Sequence, residues 1–165
     1  MDIISHGLWG GIIFGRENKK DFFWAFVIGV APDLFSFGIF TAMRTLGLAS
    51  GPDWGNGVPN ASLIPVYVHS LYNFTHSLIV FALVFALVTI IRRKPFIPML
   101  AWFLHILMDI PTHSTRFFPT PFLWPISTYK INGIPWSHPV IFFSDIVILF
   151  ILYIWFFVIN KKIKK

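Results

Sequence analysis

A chain of 165 residues is one domain's worth of polypeptide, and residues 1–165 read as a single domain. With 56% hydrophobic residues, 12% charged residues and a mean hydropathy of +0.71, the composition excludes an ordinary soluble globule, where about 25% charge is usual, and implies an integral membrane protein. The net charge of +6 does not imply nucleic-acid binding, because the cations stand in short clusters between apolar runs (Arg16/Lys19/Lys20, Arg92-Arg93-Lys94, Lys161-Lys162/Lys164-Lys165), and the lack of cysteine excludes disulfides, thiolate ligands and Cys nucleophiles.

Met1-Asp2-Ile3-Ile4-Ser5-His6 has neither a basic n-region nor a small-residue cleavage site, so no removable signal peptide is expected. The first apolar segment, about Ile3 to Phe14, is too short to span a bilayer upright, which takes roughly 20 residues. Its glycines Gly7, Gly10, Gly11 and Gly15 suit close helix packing, and a buried or tilted half-spanning helix carrying His6 is expected. The second, about Phe22 to Leu48, is expected to break at Ala31-Pro32-Asp33, since proline frees backbone groups inside a helix. Asp33 then either turns into a cavity or caps the second half-helix.

Gly47 to Ser62 is a loop by its Gly, Pro and Asn density. The third segment, about Ile64 to Ile91, reads as one long helix stopped by Arg92-Arg93-Lys94. His69, Tyr72, Asn73 and His76 share one face of it, and a titratable stripe leading into an uncharged run is costly unless something pairs with it. Segment four, about Phe96 to Ile110, carries His105 and Asp109 one turn apart, close enough to bind one ion or each other. His113 is a further ligand or a plain loop histidine. The connection from Thr112 to Pro139 is aromatic, proline-rich and too long for a passive turn. Within it Arg116 and Lys130 either meet an anionic head group or are ordinary exposed charges, and Trp124 and Trp136, like Trp54, read as interfacial anchors. Segment five, about Val140 to Asn160, is a clean spanning helix in which Asp145 calls for a partner; His138 is a ligand or an interface residue.

These segments make an all-α integral membrane helical bundle of about five membrane segments. Basic clusters and C-terminus in the cytoplasm leave the 47–62 and 112–139 loops and the N-terminus outside. At about 1.5 Å per residue, His6, Asp33, His76, His105, Asp109 and Asp145 then lie roughly 15 to 24 Å above the cytoplasmic edge of a core about 30 Å thick. Polar residues from five segments share one layer, which points to a single site towards the outer face. A His/Asp set without Cys suits Zn²⁺ first and Mn²⁺ or Fe next. There is no Gly-x-Ser-x-Gly elbow and no Ser/Lys pair.

Ser5-His6-Gly7, Ala31-Pro32-Asp33, Asn73-Phe74-Thr75-His76-Ser77-Leu78, His105-Ile106-Leu107-Met108-Asp109 and Thr120-Pro121-Phe122-Leu123-Trp124-Pro125, in this order, resemble the YdjM-type family of membrane-bound metal-dependent hydrolases. The resemblance covers nearly the whole chain. It departs at Phe35, where the family commonly has a second Asp, and at Tyr72-Asn73, where it commonly has His-Arg. The family is distantly similar to zinc-dependent phospholipase C, so the resemblance implies a phospholipase C-like helical core. It also implies His6, Asp33, His76, His105 and Asp109 as metal ligands, with Asp145 as a late acidic ligand; the residues themselves offer His69, His113 and His138 as candidate additional ones. The expected activity is hydrolysis of a membrane lipid or lipid-linked phosphoester by a metal-activated water, with Asp109 or Asp33 orienting that water and Arg116, Lys130 and Asn73 meeting substrate. The alternatives are a proton- or metal-ion-coupled transporter, which uses the same residues as a transit site, and a structural protein that binds no metal.

Overall fold

The computed structural model describes residues 1–52 and 59–159, so Trp54 and the lysine tail lie outside the described residues. Helix α1 (Ile3–Phe14) opens where the Asp2 side chain accepts from the N–H groups of Ile4 and Ser5, and it closes at Gly15. Asn18 opens α2 (Lys19–Asp33) in the same way, accepting from Asp21 N–H. The two helices are antiparallel and touch backbone to backbone. A Cβ on Gly10 would lie 2.7 Å from the Ala25 carbonyl oxygen, and one on Gly29 would lie 2.6 Å from that of His6. Only glycine permits this approach, and it sets His6 beside the end of α2 that carries Asp33.

The break expected at Ala31-Pro32-Asp33 is absent. The chain runs on through one π-helical turn (Leu34–Gly38) into α3 (Ile39–Thr45), giving a 27-residue helix, Lys19–Thr45. In that turn the buried Ser36 Oγ bonds to the carbonyls of Pro32 (2.9 Å) and Asp33 (3.2 Å). Asp33 makes no side-chain capping bond, so its carboxylate is free for other use.

The break falls instead in the third segment. Helix α4 (Val66–Thr75) ends at His76, and Ser77 opens α5 (Leu78–Arg92) by accepting from the N–H groups of Ile79 and Val80; the two helices are bent by 59°. The long connection after α6 (Leu100–Thr112) fills this corner. Ser77 Oγ donates to the Trp124 carbonyl, and Leu78 N–H donates to that of Phe122 at 3.0 Å. The same connection folds back on α6, with Gly133, Ile134 and Trp136 N–H donating to the carbonyls of His113, Pro111 and Thr112. Helix α7 (Pro139–Ile154) packs on α1, while α1, α2 and α6 pack on one another.

Among the described residues the fold is all helical. Two helices, Lys19–Thr45 and Pro139–Phe157, are long and apolar enough to cross a membrane, and three if the bent α4/α5 pair is one span; this corrects the five expected. Helix α1 has 12 residues, about 18 Å of rise, too little for a core about 30 Å thick. The 16 residues of Ile97–Thr112 rise only about 24 Å. Helix α1 buries Gly7, Gly10, Gly11 and Ile12 against protein and α6 buries Ala101 and Ile106, and such packed faces draw on the same small and apolar residue types as membrane helices do. Outward faces are apolar where they lack neighbours, as at Leu83, Leu87 and Ile90 of α5 and Phe143, Val147 and Phe150 of α7.

Candidate metal centre

Four side chains from three elements meet in the middle of this packing: Asp33 from the end of α2, His76 from the corner between α4 and α5, and His105 and Asp109 one turn apart on α6. One ligand atom from each lies within 4.8 Å of all the others. His105 Nε2 is 3.0 Å from His76 Nε2 and 3.2 Å from Asp109 Oδ2, and Asp33 Oδ1 is 3.4 Å from His76 Nε2. The side chains of His76, His105 and Asp109 are fully buried, and that of Asp33 is 11% exposed.

The backbone decides which nitrogens are bare. His105 Nδ1 donates to the Gly29 carbonyl at 2.7 Å, and His76 Nδ1 to the Tyr72 carbonyl at 3.1 Å. A carbonyl only accepts, so in each neutral ring the proton is on Nδ1 and the Nε2 lone pair faces the cluster. Two such lone pairs stand 3.0 Å apart beside Asp109 Oδ2, which is buried with no hydrogen-bond partner. Lone pairs and carboxylate oxygens crowded in a buried space repel unless a cation lies among them. The residues therefore fit a metal ion, and the carbonyls on Nδ1 are the outer supports that metal-binding imidazoles require.

Asp109 faces two ways. Its other oxygen, Oδ1, is 3.0 Å from His6 Nε2 and 3.4 Å from His113 Nε2, and it pairs with the N-terminal ammonium of Met1. His6 stacks on His105 with ring centroids 3.6 Å apart, and its Nδ1 is buried and unpartnered. His113 Nδ1 lies within hydrogen-bond distance of the Phe118 carbonyl and the Tyr72 hydroxyl. These two histidines thus flank the four-residue group, His113 touching it at Asp109 and His6 at both Asp109 and His105.

Other expected residues stand elsewhere. Asp145 is buried but occupied, with Ser5 Oγ at 2.6 Å and Trp9 Nε1 at 2.7 Å, so it ties α7 to α1. His69 lies against the Ala61 carbonyl at 3.1 Å and stacks on Phe118. His138, Arg116 and Lys130 are exposed and Asn73 is half-buried, none of them within the cluster. The sequence reading missed two supports, Gly29 and Trp102, whose Nε1 donates to the Thr75 carbonyl, while Tyr72 stacks on His76 at 3.8 Å. Gly29 and Trp102 carry no periodic signal. Tyr72, one turn before His76, was already visible in the polar stripe.

Among known protein families, the family model described as YdjM inner membrane protein matches residues 1–165, the whole chain. No curated protein and no solved structure matches it.

Proposed function

The chain belongs to the YdjM inner membrane protein family, and from that premise we propose that it is a membrane-embedded, metal-dependent hydrolase acting on a lipid or lipid-linked phosphoester. The observation that carries this reading is the convergence of two bare imidazole nitrogens with two carboxylates in one buried space. That donor set suits Zn²⁺ first, with Mn²⁺ or Fe as alternatives. His76, His105 and Asp109 would hold the ion as three deep ligands. Asp33, with the only measurable exposure of the four, stands at the edge where water enters. When bound there, a divalent ion would supply a water whose pKa is lowered towards about 7 and a Lewis acid for a phosphoryl oxygen. Asp33 would orient that water and take its proton, while His6 holds Asp109 in register. Multi-pass insertion, basic clusters in the cytoplasm, a site towards the outer face and a phospholipase C-like core belong to the same proposal. A lipid substrate would reach the site sideways between helices.

The test pairs elemental analysis with turnover of phospholipids and polyprenyl phosphates by detergent-purified protein. Wild type should carry metal and hydrolyse one of these classes. Asp33→Asn should keep its metal and lose roughly 10²- to 10⁴-fold in rate, the usual contribution of a general base. Metal bound without turnover of either class ends the hydrolase proposal.

A second reading, a metal- or proton-coupled transporter, draws on the 59° corner at His76, since broken helices at binding depth are a transporter device. Ion flux into sealed liposomes without substrate turnover would select it.

A further inference from the structure

At the far end of the helices a cleft of about 490 Å³ opens between the α1–α2 turn and the α5–α6 turn, rimmed by Arg16, Lys20, Arg92 and Lys94 together with Glu17 and Asp21. Four cations against two carboxylates leave a surplus of two positive charges. Among the described residues no ion pair joins these groups, although both carboxylates line the same cleft. Asp21 instead accepts from Asn18 Nδ2 at 2.7 Å. Arg92 is held in place with its guanidinium 4.7 Å from the centre of the Phe96 ring. Beside these charges, Phe14, Phe96 and Pro98 among others form an apolar part of the wall. Next to Arg92 on α5, Ile90 and Ile91 are each 72% exposed.

Unpaired cations gathered from separate parts of the chain around one cavity ask for an anion. The apolar wall, continuous with an outward apolar helix face, asks for an anion that carries hydrocarbon. We propose that this cleft binds the phosphodiester head group of an anionic phospholipid, whose acyl chains lie along the outer face of α5. Basic pockets between membrane helices take such head groups, each Lys or Arg adding to the attraction, and a free phosphate would leave the apolar wall unused. The cleft stands roughly 12 to 24 Å along the helices from the metal centre, counted from Phe14 to His6 and from Arg92 to His76. The assignment is therefore independent of the hydrolase proposal, and the lipid held here is a resident and not a substrate.

Native mass spectrometry of the full chain, titrated in turn with phosphatidylglycerol, phosphatidylcholine and sodium phosphate, tests the assignment. Phosphatidylglycerol should bind at least tenfold more tightly than either of the others. Arg16→Gln/Lys94→Gln should weaken it roughly 30-fold, from about fivefold per cation removed, with an unchanged far-ultraviolet circular dichroism spectrum. Equal retention of phosphatidylcholine overturns the proposal, as does undiminished binding by the folded double variant. Phosphate bound as tightly as phosphatidylglycerol makes the cleft a soluble-anion site and overturns it too. The comparison of the three probes on wild type needs no variant, so a double variant that fails to fold still leaves the proposal decidable.

Discussion

A single hydrogen bond to a carbonyl decides whether a histidine is a ligand or a filler, and here it separates His76 and His105 from His69. In the first two the backbone takes Nδ1 and leaves Nε2 bare in the cluster; in His69 the Nε2 itself lies against a carbonyl and the ring packs on Phe118. His6 is intermediate, reaching the centre through Asp109. Outer partners of this kind usually contribute 10- to 100-fold to metal affinity, so His6→Ala should weaken binding by about that factor in a chelator competition, without abolishing it. Asp145 behaves differently. Its carboxylate already satisfies Ser5 and Trp9, so Asp145→Ala should leave metal content unchanged and cost about 1 to 3 kcal/mol of stability through the donors left unpaired. Loss of metal in that variant would return Asp145 to the ligand set.

Elements position these residues, and their tightest joint is the glycine contact between α1 and α2. In Gly29→Ala the new methyl would lie 2.6 Å from the His6 carbonyl oxygen, a backbone atom that moves only with its helix. The substitution gains about 0.5 to 1 kcal/mol of helix propensity against about 1 to 3 kcal/mol of overpacking. A net loss of stability in thermal unfolding is expected, with weaker metal retention because His6 shifts and the carbonyl that orients His105 belongs to Gly29 itself. At this scale the sequence is legible in part. The first helix stands where its glycines and apolar run place it, and His105/Asp109 can be read from spacing alone. The corner at His76 is hidden because neither proline nor glycine marks it and the helical spacing of His69, Tyr72 and His76 runs straight into it; the available sign is Ser77 immediately before Leu78-Ile79-Val80, an N-cap ahead of an apolar run. Proline misleads in the other direction: Pro32 looks like a break, but the helix continues through the π-helical turn after it, where the Ser36 hydroxyl bonds to the carbonyls of Pro32 and Asp33. The number of spans is illegible for a different reason, since a short helix buried in protein and a long one facing lipid draw on the same residues.

For the whole molecule, the cluster sits where three pieces of chain meet: the α2 end, the α4/α5 corner and α6. A bound ion would tie the corner to α6 directly and reach α2 through the water at Asp33, and a ligand that binds only the folded state stabilises it by about 2.7 kcal/mol when present at 100 times its dissociation constant. In a chain of this length each kcal/mol is worth about 2–4 °C, so stripping the metal should lower the midpoint of thermal unfolding in detergent by roughly 5 to 11 °C, and adding Zn²⁺ back should restore it. His105→Ala removes a central ligand. Its unfolding should already be low and should respond to neither chelator nor Zn²⁺. Equal responses in wild type and His105→Ala would place the ion elsewhere on the chain. A wild-type midpoint unmoved by a chelator, in protein shown by elemental analysis to carry no metal, would mean that protons and not a metal balance the four residues. The hydrolase proposal would then fall, leaving the structural protein that binds no metal and the proton-coupled transporter, for which a buried pair of imidazoles facing two carboxylates at a helix corner is what a proton relay requires.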